Sequence, residues 1–268
     1  MVDQMVAFFI SGFVYPNILW TSLLLGIGLA IVFGAVWFTL YWTPILKKPW
    51  AWVVLGTSVL LTWVAVAFIQ IPLQFWSGQA LNHFWSQGTL MRWLLLAGIP
   101  TVLLSGLVQE GAKLVPVVVY WWRKGKNIDP KLGLTIGAVA GLGLGIFEAQ
   151  WVHNLIFTTG WNWEAVQIGG LMALAPFWER FFVVAFHTAS CALAGWGLAK
   201  GWGWQFYLLA SLTHAIINYS AVLFGAGIVT LVQLEIYIAV WAILVTGGVL
   251  WLRWRKPAEL VESEVSAS

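Results

Sequence analysis

From about Asn17 to Leu252 the chain is a succession of apolar stretches, each long enough to cross a hydrocarbon layer of roughly 30 Å as a helix. That pattern constrains the fold more than any motif. In lipid every backbone N–H and C=O must be paired within the chain, and a helix is the simplest way to do it. Composition agrees: 61% of the 268 residues are hydrophobic and 9% charged, where a soluble domain carries about 25% charged residues. The pattern predicts an all-α, polytopic transmembrane bundle of about seven spans. The expected spans are 17–42, 50–75, 91–122, 132–157, 177–199, 203–224 and 228–252. Residues 5–15 are apolar but too short to span. Ser77 to Thr89 is expected as a polar, aromatic connection, and 158–176 as a short interfacial helix punctuated by Gly160, Gly169, Gly170 and Pro176. No polar linker or repeat interrupts 1–252, so this is expected to be one transmembrane domain with its motif-bearing core at about 100–220; 253–268 is expected to be a charged cytoplasmic tail. The 21 tryptophans suit membrane interfaces.

Lysine and arginine alternate between the connections. Lys47, Lys48, Arg123, Lys124, Lys126, Lys131, Lys200, Arg253, Arg255 and Lys256 follow the odd spans; the other connections hold only Arg92 and Arg180. Because basic loops stay in the cytoplasm, the expected topology is N-terminus outside and C-terminus inside. The net charge of +3 is spread over these short loops, so no nucleic-acid partner is expected. The start, Met1-Val2-Asp3-Gln4, lacks a basic region, so no cleaved signal peptide is expected. Cys191 is the only cysteine and cannot form an internal disulfide.

Within the spans lie a few costly residues. Glu110 and Lys113 sit mid-span, three residues apart on one helix face, where a central charge costs roughly 2.5–3.5 kcal/mol. Glu148 ends a ladder of Gly133, Gly137, Gly141 and Gly145 that suits close helix packing. His187 follows Arg180 by two turns, and His214 shares a face with Asn218. Counted from the expected cytoplasmic ends at 1.5 Å per residue, Glu110, Glu148, His187 and His214 all lie about 17–24 Å deep. This common depth predicts one shared layer. Glu110 can serve as a general base or a metal ligand, with Lys113 keeping it ionised. His214 and Asn218 can hold a metal or an oxyanion. Gln70, Gln150 and Thr188 are weaker, supporting candidates. His83, His153, Glu164, Glu179 and Glu235 rank below them, as packing or interfacial residues.

Several intramembrane chemistries are excluded. No His-Glu-x-x-His is present. The only aspartates, Asp3 and Asp129, fall outside the spans, so no aspartyl dyad can form in the membrane. There is no Gly-x-Ser-Gly, and the seventh span has no lysine for a Schiff base.

The ordered set Gln109-Glu110-Gly111-Ala112-Lys113, Phe147-Glu148, Arg180, His187 and His214-x-x-x-Asn218 resembles the PrsW family of intramembrane proteases, related to the CAAX-prenyl endopeptidase and Abi group. The likeness covers about 100–220. It implies an intramembrane endopeptidase acting on a membrane-tethered protein or peptide, embedded in the lipid bilayer as a multi-pass protein of the cell membrane. Glu110 and Glu148 would activate water, and His187 would bind that water or a metal. His214 and Asn218 would ligate the metal or stabilise the oxyanion, with Gln109, Lys113 and Arg180 in support. That group includes proteins described as metal-dependent and as glutamate proteases, so a divalent metal such as zinc on His187 and His214 stays open. One position departs: Gln109 stands where the family has the first glutamate of a pair, and glutamine is no base. Two other readings therefore stand beside this one, a non-catalytic binding or scaffold relative of the same fold and a proton-coupled transporter.

Overall fold

The computed structural model describes residues 1–41 and 43–255, and among them every regular element is helical. Helix α1 (Val2–Ser11) is separated from α2 (Trp20–Thr39) by Pro16 and Asn17, the latter in the left-handed region. A 3₁₀ turn, Pro44–Lys47, leads to α3 (Pro49–Ala65). A π-helical turn, Val66–Gln70, joins α3 to α4 (Ile71–Phe84). The short helices α5 (Gln87–Arg92) and α6 (Leu94–Ala97) precede α7 (Ile99–Arg123). Helix α8 (Pro130–Thr158) starts on an Asp129 side-chain cap that accepts the Leu132 N–H. The stretch expected as a short interfacial helix holds α9 (Trp163–Gly169) followed by a 3₁₀ turn, Gly170–Leu174, both within the fifth long apolar segment, Trp163–Ala199. The chain then makes α10 (Ala175–Ala199), α11 (Gly203–Gly225) and α12 (Leu231–Trp254), the last opened by a capping box of Thr230 and Gln233.

Seven of these segments are long and apolar enough to cross a membrane, as the sequence predicts. The second is longer than expected. Its helix does not stop near Phe75 but runs to Phe84 through the stretch expected as a connection. The expected end rests on the polar stretch that begins at Ser77; inside the helix, Pro72 has no N–H to give the carbonyl of Phe68. The chain absorbs the defect in a π turn, where the Ile71 N–H reaches Val66, and resumes helix. At the C-terminal end α12 runs to Trp254, so Arg253 belongs to the last helix; 256–268, most of the expected tail, lie outside the described residues.

Helices α8 and α10 form the centre. In their most apolar windows 78% and 83% of residues are buried, against 22–44% in the other five spans, so the outer five shield this pair from lipid. Glycine makes their contact possible. A Cβ on Gly137 would run into the carbonyl of Cys191, and one on Gly141 into that of His187. The two backbones therefore touch, as small residues allow in membranes. Gly106 on α7 meets Ser211 on α11 in the same way. Each close approach lies within two turns of an expected site residue: Gly106 near Glu110 and His214, Gly141 near Glu148 and His187. On another face of α8, α2 and α3 splay apart and leave an apolar groove of about 1120 Å³ lined by Leu23, Ile31, Phe38, Leu55 and Ile146.

The basic connections share one end of the bundle. There Lys131 donates to the carbonyl of Arg255, at 3.1 Å, and Arg253 to that of Tyr41, at 3.2 Å.

Candidate active site

The four ionisable residues expected in one layer do converge. Glu110 comes from α7, Glu148 from α8, His187 from α10 and His214 from α11. They form two carboxylate–histidine pairs. His214 Nδ1 lies 2.7 Å from Glu110 Oε1, and His187 Nε2 lies 2.7 Å from Glu148 Oε2. The two imidazole centroids are 5.2 Å apart.

Lys113 ties the pairs together. Its Nζ donates to Glu110 Oε1 at 2.6 Å, to Ser190 Oγ at 3.1 Å and to His187 Nδ1 at 3.2 Å. Glu110 and Lys113 have no exposed side-chain surface, so their charges are compensated wholly from within. Ser190 also donates to the Glu110 carboxylate, at 3.0 Å. These partners fix the tautomers. The ammonium donates to His187 Nδ1, so Nε2–H of that ring faces Glu148. His214 Nδ1–H faces Glu110, which leaves its Nε2 lone pair unengaged. Arg180 reaches Glu148 Oε1 at 3.4 Å and pairs with its neighbour Glu179.

A cavity of about 430 Å³ opens against this cluster. Glu148, Arg180, His187, His214, Gln109 and Asn218 all line it. Glu110 is absent from its wall; it stands behind His214. Two carboxylates line the cavity, Glu148 and Glu179, with 26% and 27% of their side chains exposed; Glu148 is the one paired with a histidine. Asn218 donates to Ser105 Oγ at 2.9 Å, and Gln109 donates to Ser105 Oγ at 3.3 Å and to Gln70 Oε1 at 3.1 Å. Every residue expected at the site is thus in it or adjoining it.

The weaker candidates divide. Gln70 joins the network, carried inward by the π turn. Gln150 instead faces the groove between α2 and α3, and Thr188 bonds the carbonyl of Val184 in its own helix. Three contributors are overlooked or ranked low by sequence reasoning. Ser190 lies three residues after His187, Ser105 lies four before Gln109, and Glu179 adjoins Arg180. Helical spacing is the available signal, but serine is common in membrane helices and so carries little by itself. His153, near the end of α8, is fully buried: Nδ1 pairs with the Gly26 carbonyl at 3.0 Å, and the ring packs on Phe177. It joins α8 to α2 and α10. Glu235 is buried on α12 with one oxygen unpaired among the described residues.

Metal ligation is tested by the same geometry. Glu110, His187 and His214 each offer a ligand atom, all within 4.8 Å of one another. Two histidines and a glutamate are a donor set of catalytic zinc. Yet Lys113 Nζ already bridges Glu110 Oε1 and His187 Nδ1, and the other His187 nitrogen is given to Glu148. A divalent ion would have to displace an internal cation that has no other counter-charge. In this arrangement the residues do not fit a resident metal.

Fold and site together define a seven-span helical membrane protein with a buried, charge-compensated cluster of carboxylates, histidines and a lysine beside a cavity. No family model matches the chain, and neither does any curated protein or solved structure.

Proposed function

We propose that the protein is an intramembrane endopeptidase, similar in its motif order to the PrsW family, that hydrolyses a peptide bond in a membrane-tethered protein. The reading is carried by one observation: the Glu148–His187 pair lines a cavity inside the bundle beside His214, which Glu110 holds from behind. Glu148, held by His187 and Arg180, accepts a proton from water as the water oxygen attacks the peptide carbonyl. Asn218 gives its remaining amide N–H to the oxyanion, and His214 lines the cavity beside it. Glu148 then returns its proton to the departing amine. Glu110 is a positioning residue that orients His214 from behind, and Lys113 balances it. The Lys113 contacts with Glu110 and His187 favour chemistry without a metal.

The test is cleavage by purified protein in vesicles of a panel of single-span substrates. We expect a cut within or just beside the span, undiminished by a strong chelator, with no stoichiometric zinc in wild type or in His187→Ala and His214→Ala. Loss of cleavage on chelation with recovery on adding zinc would reject the metal-free chemistry. No cleavage of any membrane substrate would reject the reading.

The second reading, a non-catalytic relative of the same fold, is favoured by Gln109 at the position of the family's first glutamate. The proposed orientation, basic connections in the cytoplasm, is tested separately. In a Cys191→Ala background, a cysteine introduced by Asn127→Cys is expected to react with an impermeant reagent only from the cytoplasmic side. Labelling from outside would invert the topology.

A further inference from the structure

Part of the cavity lining is charged, and part is polar but neutral. Gln74, Ser105, Gln109 and Asn218 form the neutral part, from α4, α7 and α11, backed by Gln70 in the π turn. Their internal hydrogen bonds leave valences unused. Ser105 Oγ accepts from both Gln109 and Asn218, and its own proton has no acceptor among the described residues. Gln74 donates to the Thr101 carbonyl at 2.9 Å. The side-chain oxygens of Gln74, Gln109 and Asn218 accept no hydrogen bond among the described residues. The wall thus offers three amide oxygens and a hydroxyl proton to whatever enters.

A polypeptide crossing a membrane has its backbone closed into a helix, and its carbonyls are not open to attack. Unwinding even a few residues frees N–H and C=O groups that each cost several kcal/mol in hydrocarbon if left unpaired. Carboxamides are the side chains closest in chemistry to a peptide group, able to donate and accept without bringing a charge. We propose that the Gln74–Ser105–Gln109–Asn218 wall is a main-chain subsite that pairs with an unwound stretch of a membrane-spanning polypeptide, so that the site selects segments with a helix-breaking sequence near the depth of His187. This deepens the endopeptidase reading and rests on it for the chemical step after binding. It also gives Gln109 a role: a carboxylate there would meet a backbone that offers as many acceptors as donors, beside the buried charge of Glu110.

The probes are two dye-labelled synthetic peptides of about 20 leucines and alanines, enough for one span. One is uninterrupted and one has Gly-Gly-Pro at its centre. Affinity for the full-length wild-type protein in vesicles is read by energy transfer, and the same samples are checked for cleavage by mass spectrometry. The interrupted peptide is expected to bind at least about 10-fold more tightly. Gln109→Leu is expected to reduce that preference about fivefold, the worth of one net hydrogen bond. Gln74→Leu/Gln109→Leu/Asn218→Leu should abolish it. If the triple variant does not fold, as judged by circular dichroism and gel filtration, Gln109→Asn, which withdraws the amide by one methylene, should still lower the preference several-fold. Equal affinity for both peptides, or a preference untouched by a folded variant, overturns the subsite. Selective binding without cleavage keeps the subsite and counts against the endopeptidase reading; cleavage without selectivity does the reverse.

Discussion

Glu110→Gln is expected to destabilise the bundle by about 3–5 kcal/mol, the cost of leaving a buried charge without its partner. Lys113 has no exposed surface, and its other contacts are the neutral Ser190 hydroxyl and His187 imidazole. A carboxamide oxygen can accept its hydrogen bond but cannot balance its charge. Lys113→Met should cost less. The Glu110 carboxylate left behind keeps hydrogen bonds from His214 Nδ1–H, at 2.7 Å, and from Ser190 Oγ, at 3.0 Å. Glu110→Gln/Lys113→Met removes both charges and should recover most of the loss, because a buried pair often contributes little net against neutral replacements. Unfolding in mixed micelles, followed by tryptophan fluorescence, measures the cycle. Additive losses in the double variant, or a Glu110→Gln loss below about 1 kcal/mol, would mean that the two side chains do not depend on one another.

The second large effect is on catalysis. Glu148→Gln keeps size and hydrogen bonding but cannot accept the proton of water. Cleavage should fall by at least about 10²-fold, within the 10²–10⁴ that general acid–base help provides. Glu110→Gln should also lower cleavage, but in proportion to the folded fraction and to disorder at His214; the Glu110→Gln/Lys113→Met protein, restored in stability, should regain part of it. If Glu110→Gln abolishes cleavage in fully folded protein while Glu148→Gln does not, the base has been assigned to the wrong carboxylate. Gln109→Glu is the informative reverse change. With Glu148 as base, a new carboxylate on the cavity wall should leave activity flat or lower, since like charges nearby disfavour ionisation. An inactive wild type that gains cleavage from Gln109→Glu would identify the natural protein as the non-catalytic relative.

How much of the structure could be read in the sequence depends on what kind of information each feature needs. Span number depends on apolar length alone, so it was legible. The shared layer was legible because depth along a helix is a residue count, and four costly side chains had the same one. Which wall each side chain faces depends on helix rotation about its own axis, and no residue count contains that. Hence Glu110, the most conspicuous charge, stands behind the cavity, while Glu148 lines it. The π turn was hidden for a related reason. Pro72 marks a missing hydrogen bond, but whether the chain ends its helix or adds a residue to the turn is decided by packing against α7, through Gln109 on Gln70 and Gln74 on Thr101. The tie between Lys113 and His187 joins residues 74 apart in the chain and left no local trace.

The placement of opposite charges also bears on how the protein is made. Helix α7 carries acid and base within one turn, three residues apart, so it can enter the bilayer during synthesis already neutralised. Glu148 is different. Its partner Arg180 arrives on a separate span, 32 residues later, and α8 itself has no lysine or arginine near that depth. The ribosome delivers α8 first. Its carboxylate therefore has no basic partner until the glycine-lined face of α8 receives α10. The partnering of Glu148 thus depends on assembly of that helix pair, whereas the partnering of Glu110 is local to α7.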